Sequence, residues 1–221
     1  MMQHAVKAKV AELTPQQHDL IKDFAFLGFG QRDWPLEFVG KFSGKRLVVC
    51  AGAKCVWDDL ARLGVRSEQS DTHVMAVNDI SMHLPMRMRH LYSNDRKMIP
   101  HWLGARRKQY ERAYGPVEYT HTLRVYGGAK VCWPWPGHGT SLLGAVYSGL
   151  AMGYDRIVIC GGPLDNSPNY FSPPWEERNF LNEVPQKVDG TMAYWESAAK
   201  RCFRNRIRSM SGRTRELLGP P

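Results

Sequence analysis

At 221 residues, 43% apolar and 23% charged, the chain has the size and composition of one good-sized globular α/β domain with a real core. It contains no run of roughly eighteen apolar residues, so no membrane-spanning helix is expected, and its start, MMQHAVKAKVAELTPQQ, lacks the apolar stretch of a secretory leader. The net charge of +9 favours an anionic partner: a nucleotide, a phosphosugar or a nucleic acid.

Residues 1–43 are expected to form an N-terminal helical extension and 44–221 a single α/β domain. Thr14-Pro15-Gln16-Gln17 is a helix start, with a threonine cap, proline in the first turn and glutamine placed to close a capping box. The helix should run to about Leu27 and stop at Gly28 or Gly30, with a loop leading to Lys45. From there a strand–turn–helix pattern sets in. RLVVCAG is a β-branched run stopped by glycine, and VWDDLARLG has helical spacing and a glycine stop. HVMAVND and RHLYSND read as a second and a weaker third strand, followed by the basic helix KMIPHWLGARRKQYERAYG. TLRVYGGAKVCWPWPG holds one or two strands and a tryptophan-rich connection. GTSLLGAVYSGLAMG is a helix and DRIVICGG a clear strand. SPPWEERNFLNEVPQKVDG reads as a long loop, TMAYWESAAKRCFRN as the last helix and RIRSMSG as a final strand. Short apolar runs separated by helices indicate a doubly wound, mostly parallel, Rossmann-like sheet buried on both faces. Cys50, Cys55, Cys132, Cys160 and Cys202, odd in number and without metal spacing, read as reduced residues of a cytoplasmic protein.

Open parallel sheets bind ligands beyond the carboxyl ends of their strands. Here those ends carry Gly52, then Asn78 and Asp79, then Ser93 to Asp95, then Gly161, Gly162 and Asp165. Glycines there let backbone approach a ligand, although every strand-to-helix loop also needs turn residues. The segment PGHGTS opens a helix whose free N–H groups at Gly139, Thr140 and Ser141 form an anion site, with Thr140 or Ser141 alternatively a simple cap. His138 beside it is a candidate acid or base. Trp133, Trp135 and Trp175 are candidates for stacking on a base or sugar. Neither GxxxxGK[ST] nor GxGxxG is present. The segment Ser167–Val188 has the length and aromatic content of an active-site lid.

In this order of elements the chain resembles the sialyltransferase-like, nucleotide-binding α/β family, shared by small bacterial sialyltransferases and the 6-hydroxymethylpterin diphosphokinase-like proteins of domain of unknown function 115, including phage-encoded members. VVCAGAKCVWDDL stands where that family has a Gly-Asn-Gly-Pro-Ser-like turn, VMAVND matches its strand ending in asparagine at Asn78, and LYSND its strand ending in aspartate at Asp95. GTSLLGAVYSGLAMGYDRIVICGGPLD matches its helix-strand segment most closely, and the likeness covers about residues 45–210. The resemblance implies a nucleotide or nucleotide-sugar touching Gly52, Asn78, Thr140, Ser141, Gly161 and Asp165, with His138 or Tyr170 assisting the leaving phosphate. The first turn departs from the pattern, with Ala53, Lys54, Cys55 and Val56, so that Lys54 is the candidate phosphate contact.

The leading expectation is therefore a glycosyltransferase using a nucleotide-sugar donor. His138 or Asp95 would deprotonate the acceptor hydroxyl, and no cofactor or metal would be required. Two alternatives stand beside it. One is a pyrophosphate transferase needing Mg²⁺ held by carboxylates such as Asp79, Asp95 or Asp165. The other is a non-catalytic nucleotide- or nucleic-acid-binding protein. Its basic helix 96–112 and tail 200–215, with six and seven cations, would hold phosphates.

Overall fold

A computed structural model describes residues 13–30, 33–66, 69–124, 129–136, 140–165 and 185–221. Seven strands, β1 (Arg46–Cys50), β2 (Thr72–Val77), β3 (His90–Tyr92), β4 (Tyr119–Leu123), β5 (Val131–Trp133), β6 (Arg156–Cys160) and β7 (Ile207–Ser209), form one sheet. Every pairing is parallel, in the order β5-β4-β3-β2-β1-β6-β7. The chain winds outward from β1 to β5, crosses back over the sheet, and continues from β6 to β7, so the strand order reverses between β1 and β6.

Side chains alternate along each strand, and both faces are apolar, as a two-sided parallel sheet requires. Leu47, Val49, Ile157 and Ile159 point into one core, Val48, Cys50, Val158 and Cys160 into the other. The second core is closed by α2 (Val56–Leu63) and α3 (Ile99–Arg106), which continues through a π-helical turn to Tyr114. The first is closed by α4 (Ser141–Ala151), by α5 (Pro185–Ala198) and by the N-terminal segment, whose Phe24, Trp34, Phe38 and Phe42 are buried in it. Gly144 and Gly149 let α4 lie flat on the sheet. A Cβ on the former would overlap the Tyr92 hydroxyl, and one on the latter would overlap Leu47 and Ile157.

Most expected elements are present. α1 (Pro15–Lys22) has the capping box of Thr14 and Gln17, then loosens to a 3₁₀ turn that ends at left-handed Gly28. Three features differ from the expectation. α5 begins at Pro185, six residues before the expected Thr191. A further helix, α6 (Gly212–Leu218), occupies what reads as a basic tail. Trp133 and Trp135 are buried rather than displayed: the Trp133 indole donates to His121 Nδ1 at 3.1 Å and the Trp135 indole to Ser148 Oγ at 2.9 Å. An indole with both its ring and its N–H so engaged is a core anchor.

The first core also contains a polar diagonal. His121 Nε2 lies 2.9 Å from His90 Nδ1, and His90 Nε2 lies 2.8 Å from the Tyr154 oxygen. That oxygen lies 2.6 Å from His73 Nδ1, and Arg89 reaches His73 Nε2 at 2.7 Å. An indole and a guanidinium can only donate, so the two ends fix every tautomer between them. His121 and His90 carry their protons on Nε2, His73 on Nδ1, and His90 and His73 both donate to Tyr154. All three rings are neutral, and an added proton on any of them would face a donor. Burial accordingly pulls His121 down to about 3 and His73, beside Arg89, to about 4, and holds His90 well below the ordinary histidine value. Phe42 stacks on Tyr154 at 5.2 Å and closes the diagonal from the N-terminal segment.

Candidate functional site

The reversal of strand order between β1 and β6 puts the candidate crevice at the carboxyl edge, where the turns after β1, β2, β3 and β6 lie side by side. The polar residues there form two short chains. Ser93 Oγ donates to Asn78 Oδ1 at 2.8 Å and accepts the Asp95 N–H at 2.9 Å. The Tyr92 hydroxyl donates to Asn94 Oδ1 at 3.1 Å, and the Asn94 N–H donates to Ser141 Oγ at 3.1 Å. The ends of β2 and β3 are thereby tied to the start of α4. Asn78 holds a left-handed backbone, φ 61°, which asparagine tolerates better than most residues and which clusters at binding sites.

At the head of α4, Thr140 is the cap, its Oγ1 accepting the Leu143 N–H at 3.4 Å. The N–H groups of Ser141 and Leu142 in the first turn remain without an intrahelical partner, as at any helix start. Asp95 is exposed. Asp79 is half-buried, and that burial raises its carboxyl above the ordinary value. Lys54 is exposed on the turn after β1, beside half-buried Gly52.

The turn after β6 is engaged by the protein itself. The Gly161 N–H donates to Asp59 Oδ2 at 2.8 Å and its carbonyl accepts the Ala53 N–H at 3.1 Å. A side chain on Gly161, φ 67°, would overlap the Ala51 carbonyl and Val56. The Gly162 carbonyl accepts from Thr214 Oγ1 at 2.7 Å, and α6 packs over Pro163. Both glycines are buried, and Asp165 is the next residue of this loop to reach partial exposure together with Leu164. These glycines serve close approach of the protein to itself.

The hub of that packing is Asp59, fully buried on α2, which the sequence reading passed over. Its carboxylate accepts from Gly161, from Ser211 Oγ at 2.8 Å and from the Arg62 guanidinium. A signal was present: Asp59 falls three residues after Val56 and one before Leu60, on the apolar face of its helix.

The structure thus gathers Gly52, Lys54, Asn78, Asp79, Asp95, Thr140, Ser141 and Asp165 along one edge. His138, Gly139 and Tyr170 lie outside the described residues, as do Trp175 and most of the expected lid. Among the described residues, no three histidine, cysteine, aspartate or glutamate side chains are gathered to hold a metal ion. No described helix is long and apolar enough to cross a membrane.

No protein-family model and no curated protein matches the chain. Solved structures do. The sialyltransferase CstII of Campylobacter jejuni, in complex with the substrate analogue cytidine-5'-monophosphate (CMP), superposes with a TM-score of 0.52 over 80% of this chain and 85% of its own, at 12% identity. The same enzyme with a trisaccharide acceptor and CMP gives 0.51, covering 80% and 86%, again at 12% identity. The complex with CMP-3FNeuAc gives 0.50 with the same coverage and identity. At this identity the likeness shows a shared fold.

Proposed function

We propose that the protein is a glycosyltransferase-like enzyme that binds a nucleotide-activated sugar at the carboxyl edge and transfers the sugar to an acceptor hydroxyl. The observation that supports this most is the shared fold, over four-fifths of the chain, with a transferase crystallised with CMP, its analogue-bound form and an acceptor. In this reading the N–H groups of Thr140 and Ser141 at the head of α4, with Gly139 before them in sequence, take the donor phosphate, and Lys54 supplies the positive charge that the altered first turn needs. Asn78 and Gly52 border the nucleoside, and Asp165, carried by the tightly packed turn at Gly161 and Gly162, stands at the far wall. His138 or Asp95 serves as base toward the acceptor, and Tyr170 assists the departing phosphate. Catalysis then rests on positioning and on stabilising the leaving group, with no metal required.

The test is thermal unfolding in the presence of CMP, CDP, UDP, GDP, ATP, CMP-sialic acid and UDP-sugars, each with Mg²⁺ and with EDTA. A ligand at a hundred times its Kd adds about 2.7 kcal/mol, which is a rise of roughly 5–10 °C for a chain of this size. We expect one nucleotide class to raise the midpoint equally in EDTA. A shift that requires Mg²⁺ and ATP would replace this reading with a pyrophosphate transferase using Asp79, Asp95 or Asp165. No shift with any ligand would remove the nucleotide from the account.

A further inference from the structure

The strands of a parallel sheet all begin at one edge, so charge placed just before each strand accumulates along a line. Taking the first residue of every strand and the three before it, that edge holds eight cations and three carboxylates. The same window at the carboxyl edge holds two carboxylates, Asp79 and Asp95, and one cation, Arg124. An excess of five positive charges therefore lies at the end of the sheet opposite the candidate crevice.

Four of the eight cations share two carboxylates, and the other four have no ion pair among the described residues. Glu118 is shared by Arg87 at 3.0 Å and Arg89 at 3.4 Å, and Asp23 is shared by Arg204 and Arg206. Lys45, Arg46, Lys130 and Arg156 have no ion pair among the described residues. Lys45 instead donates to the Ser70 carbonyl and Lys130 to the Glu118 carbonyl. A fifth unpaired cation, Lys41, is held with Lys130 around one ring: their ammonium groups stand 4.9 and 4.8 Å from the centroid of Tyr119. Two like charges, neither with an ion pair among the described residues, are fixed around one aromatic ring and so are preorganised for an anion.

We propose that this amino edge binds the phosphodiester backbone of a nucleic acid. Six interstrand spacings of about 4.8 Å make a line of about 29 Å, long enough to face roughly eight successive phosphates of one strand. A groove of about 610 Å³ at its β7 end, lined by Lys22, Phe26, Arg201 and Arg204 with Asp19 and Asp23, extends the line. Among the described residues the edge carries no exposed apolar wedge of the kind that inserts into a lipid surface. The exposed large hydrophobic residues among those described are Met98 at the head of α3 and Tyr194 on α5. The proposal is independent of the transferase reading, since it uses none of that site's residues.

The test is fluorescence anisotropy of the full chain with a labelled 20-nucleotide single strand and a 20-base-pair duplex, from 50 to 200 mM NaCl. Five engaged phosphates give a log–log salt slope of about −3.5 on the single strand, an affinity loss of about a hundredfold across that range. Lys45→Glu/Arg156→Glu should weaken binding about tenfold or more at 50 mM and flatten the slope by about 1.4. Arg96→Glu/Lys97→Glu, which changes the net charge equally but at the exposed head of α3 near the carboxyl edge, should leave both nearly intact. Thermal midpoints of both pairs, and the neutral Lys45→Gln/Arg156→Gln, separate binding from folding. Equal losses in the two charge-reversed pairs would reduce the effect to net charge and overturn the proposal. So would an absence of oligonucleotide binding, including the case in which phosphatidylglycerol vesicles bind instead.

Discussion

The two edges of this one sheet are built from opposite materials. At the carboxyl edge the polar groups are amides, hydroxyls and a few carboxylates, paired with one another through Asn78, Ser93, Asn94 and Ser141, and anchored by the buried charge of Asp59. Toward the amino edge the buried polar groups are neutral histidines locked by fixed donors, and the surface above them is a line of cations. The difference teaches that the cation excess at the strand starts and the crevice are separate features. A basic composition does not locate a phosphate site when the topology delivers the charge to the other end of the strands. It also means that the two edges should fail under different stresses.

The largest effect expected is acid lability arising from the histidine diagonal. The folded-state values of His73, His90 and His121 lie below the ordinary 6.5, so in mild acid the unfolded chain binds protons that the native state refuses. Stability is full above about pH 6.5 and falls as the pH drops toward about 4, where His73 begins to titrate in place. Three rings cost about 4 kcal/mol per pH unit, or about 6 kcal/mol by pH 5, against a typical domain stability of about 5–15 kcal/mol. Urea unfolding at pH 7, 6 and 5 and constant ionic strength should show midpoints falling steeply. A flat profile across that window would mean that the native rings accept protons, and the tautomer assignment would fall with it.

A smaller but still large effect belongs to the carboxyl edge. Asp59→Ala removes the acceptor of the Gly161 N–H, of Ser211 and of Arg62 together, and should cost about 3–5 kcal/mol in denaturant unfolding. The exposed amino-edge change Arg156→Gln should stay within about 0.5 kcal/mol. Comparable small losses in both would show that the turns after β1 and β6 are held by something other than this carboxylate.

Much of the fold was readable because its signals are local. The Thr14–Gln17 capping box, the glycine stop at Gly64 and the apolar runs of β1, β2 and β6 each state their conformation within a few residues. The carboxyl edge was readable for the same reason: turn residues after each strand mark it without any knowledge of strand order. What escaped depends on partners distant in sequence. Gly161 and Gly162 look like ligand-facing glycines until Thr214 and Asp59, 52 and 102 residues away, are seen to take their backbone groups. His73, His90 and His121 stand in three different strands, and only the parallel register sets them in line. The amino-edge charge escapes for the same reason: Lys45, Arg46, Arg87, Arg89, Lys130 and Arg156 lie far apart in sequence, and only the strand order sets them beside Arg204 and Arg206.

A change that should leave stability nearly untouched is the one that best isolates the candidate site. Asn78→Gly relieves a left-handed backbone that costs an L-residue about 1–2 kcal/mol. It also gives up the hydrogen bond from Ser93, worth about 1 kcal/mol, and loosens the unfolded chain by about 0.5–1 kcal/mol. These terms nearly cancel, so the unfolding free energy without ligand should move by less than about 1 kcal/mol. If Asn78 is strained in order to aim its amide at a nucleoside, the variant keeps its stability and loses affinity, with Kd for the stabilising nucleotide rising about tenfold, or 1.4 kcal/mol. Because folding is nearly untouched, titration calorimetry reads that loss directly. An unchanged Kd would make the left-handed turn a purely structural link between β2 and β3, and the crevice would then have to be carried by Lys54 and the head of α4 alone.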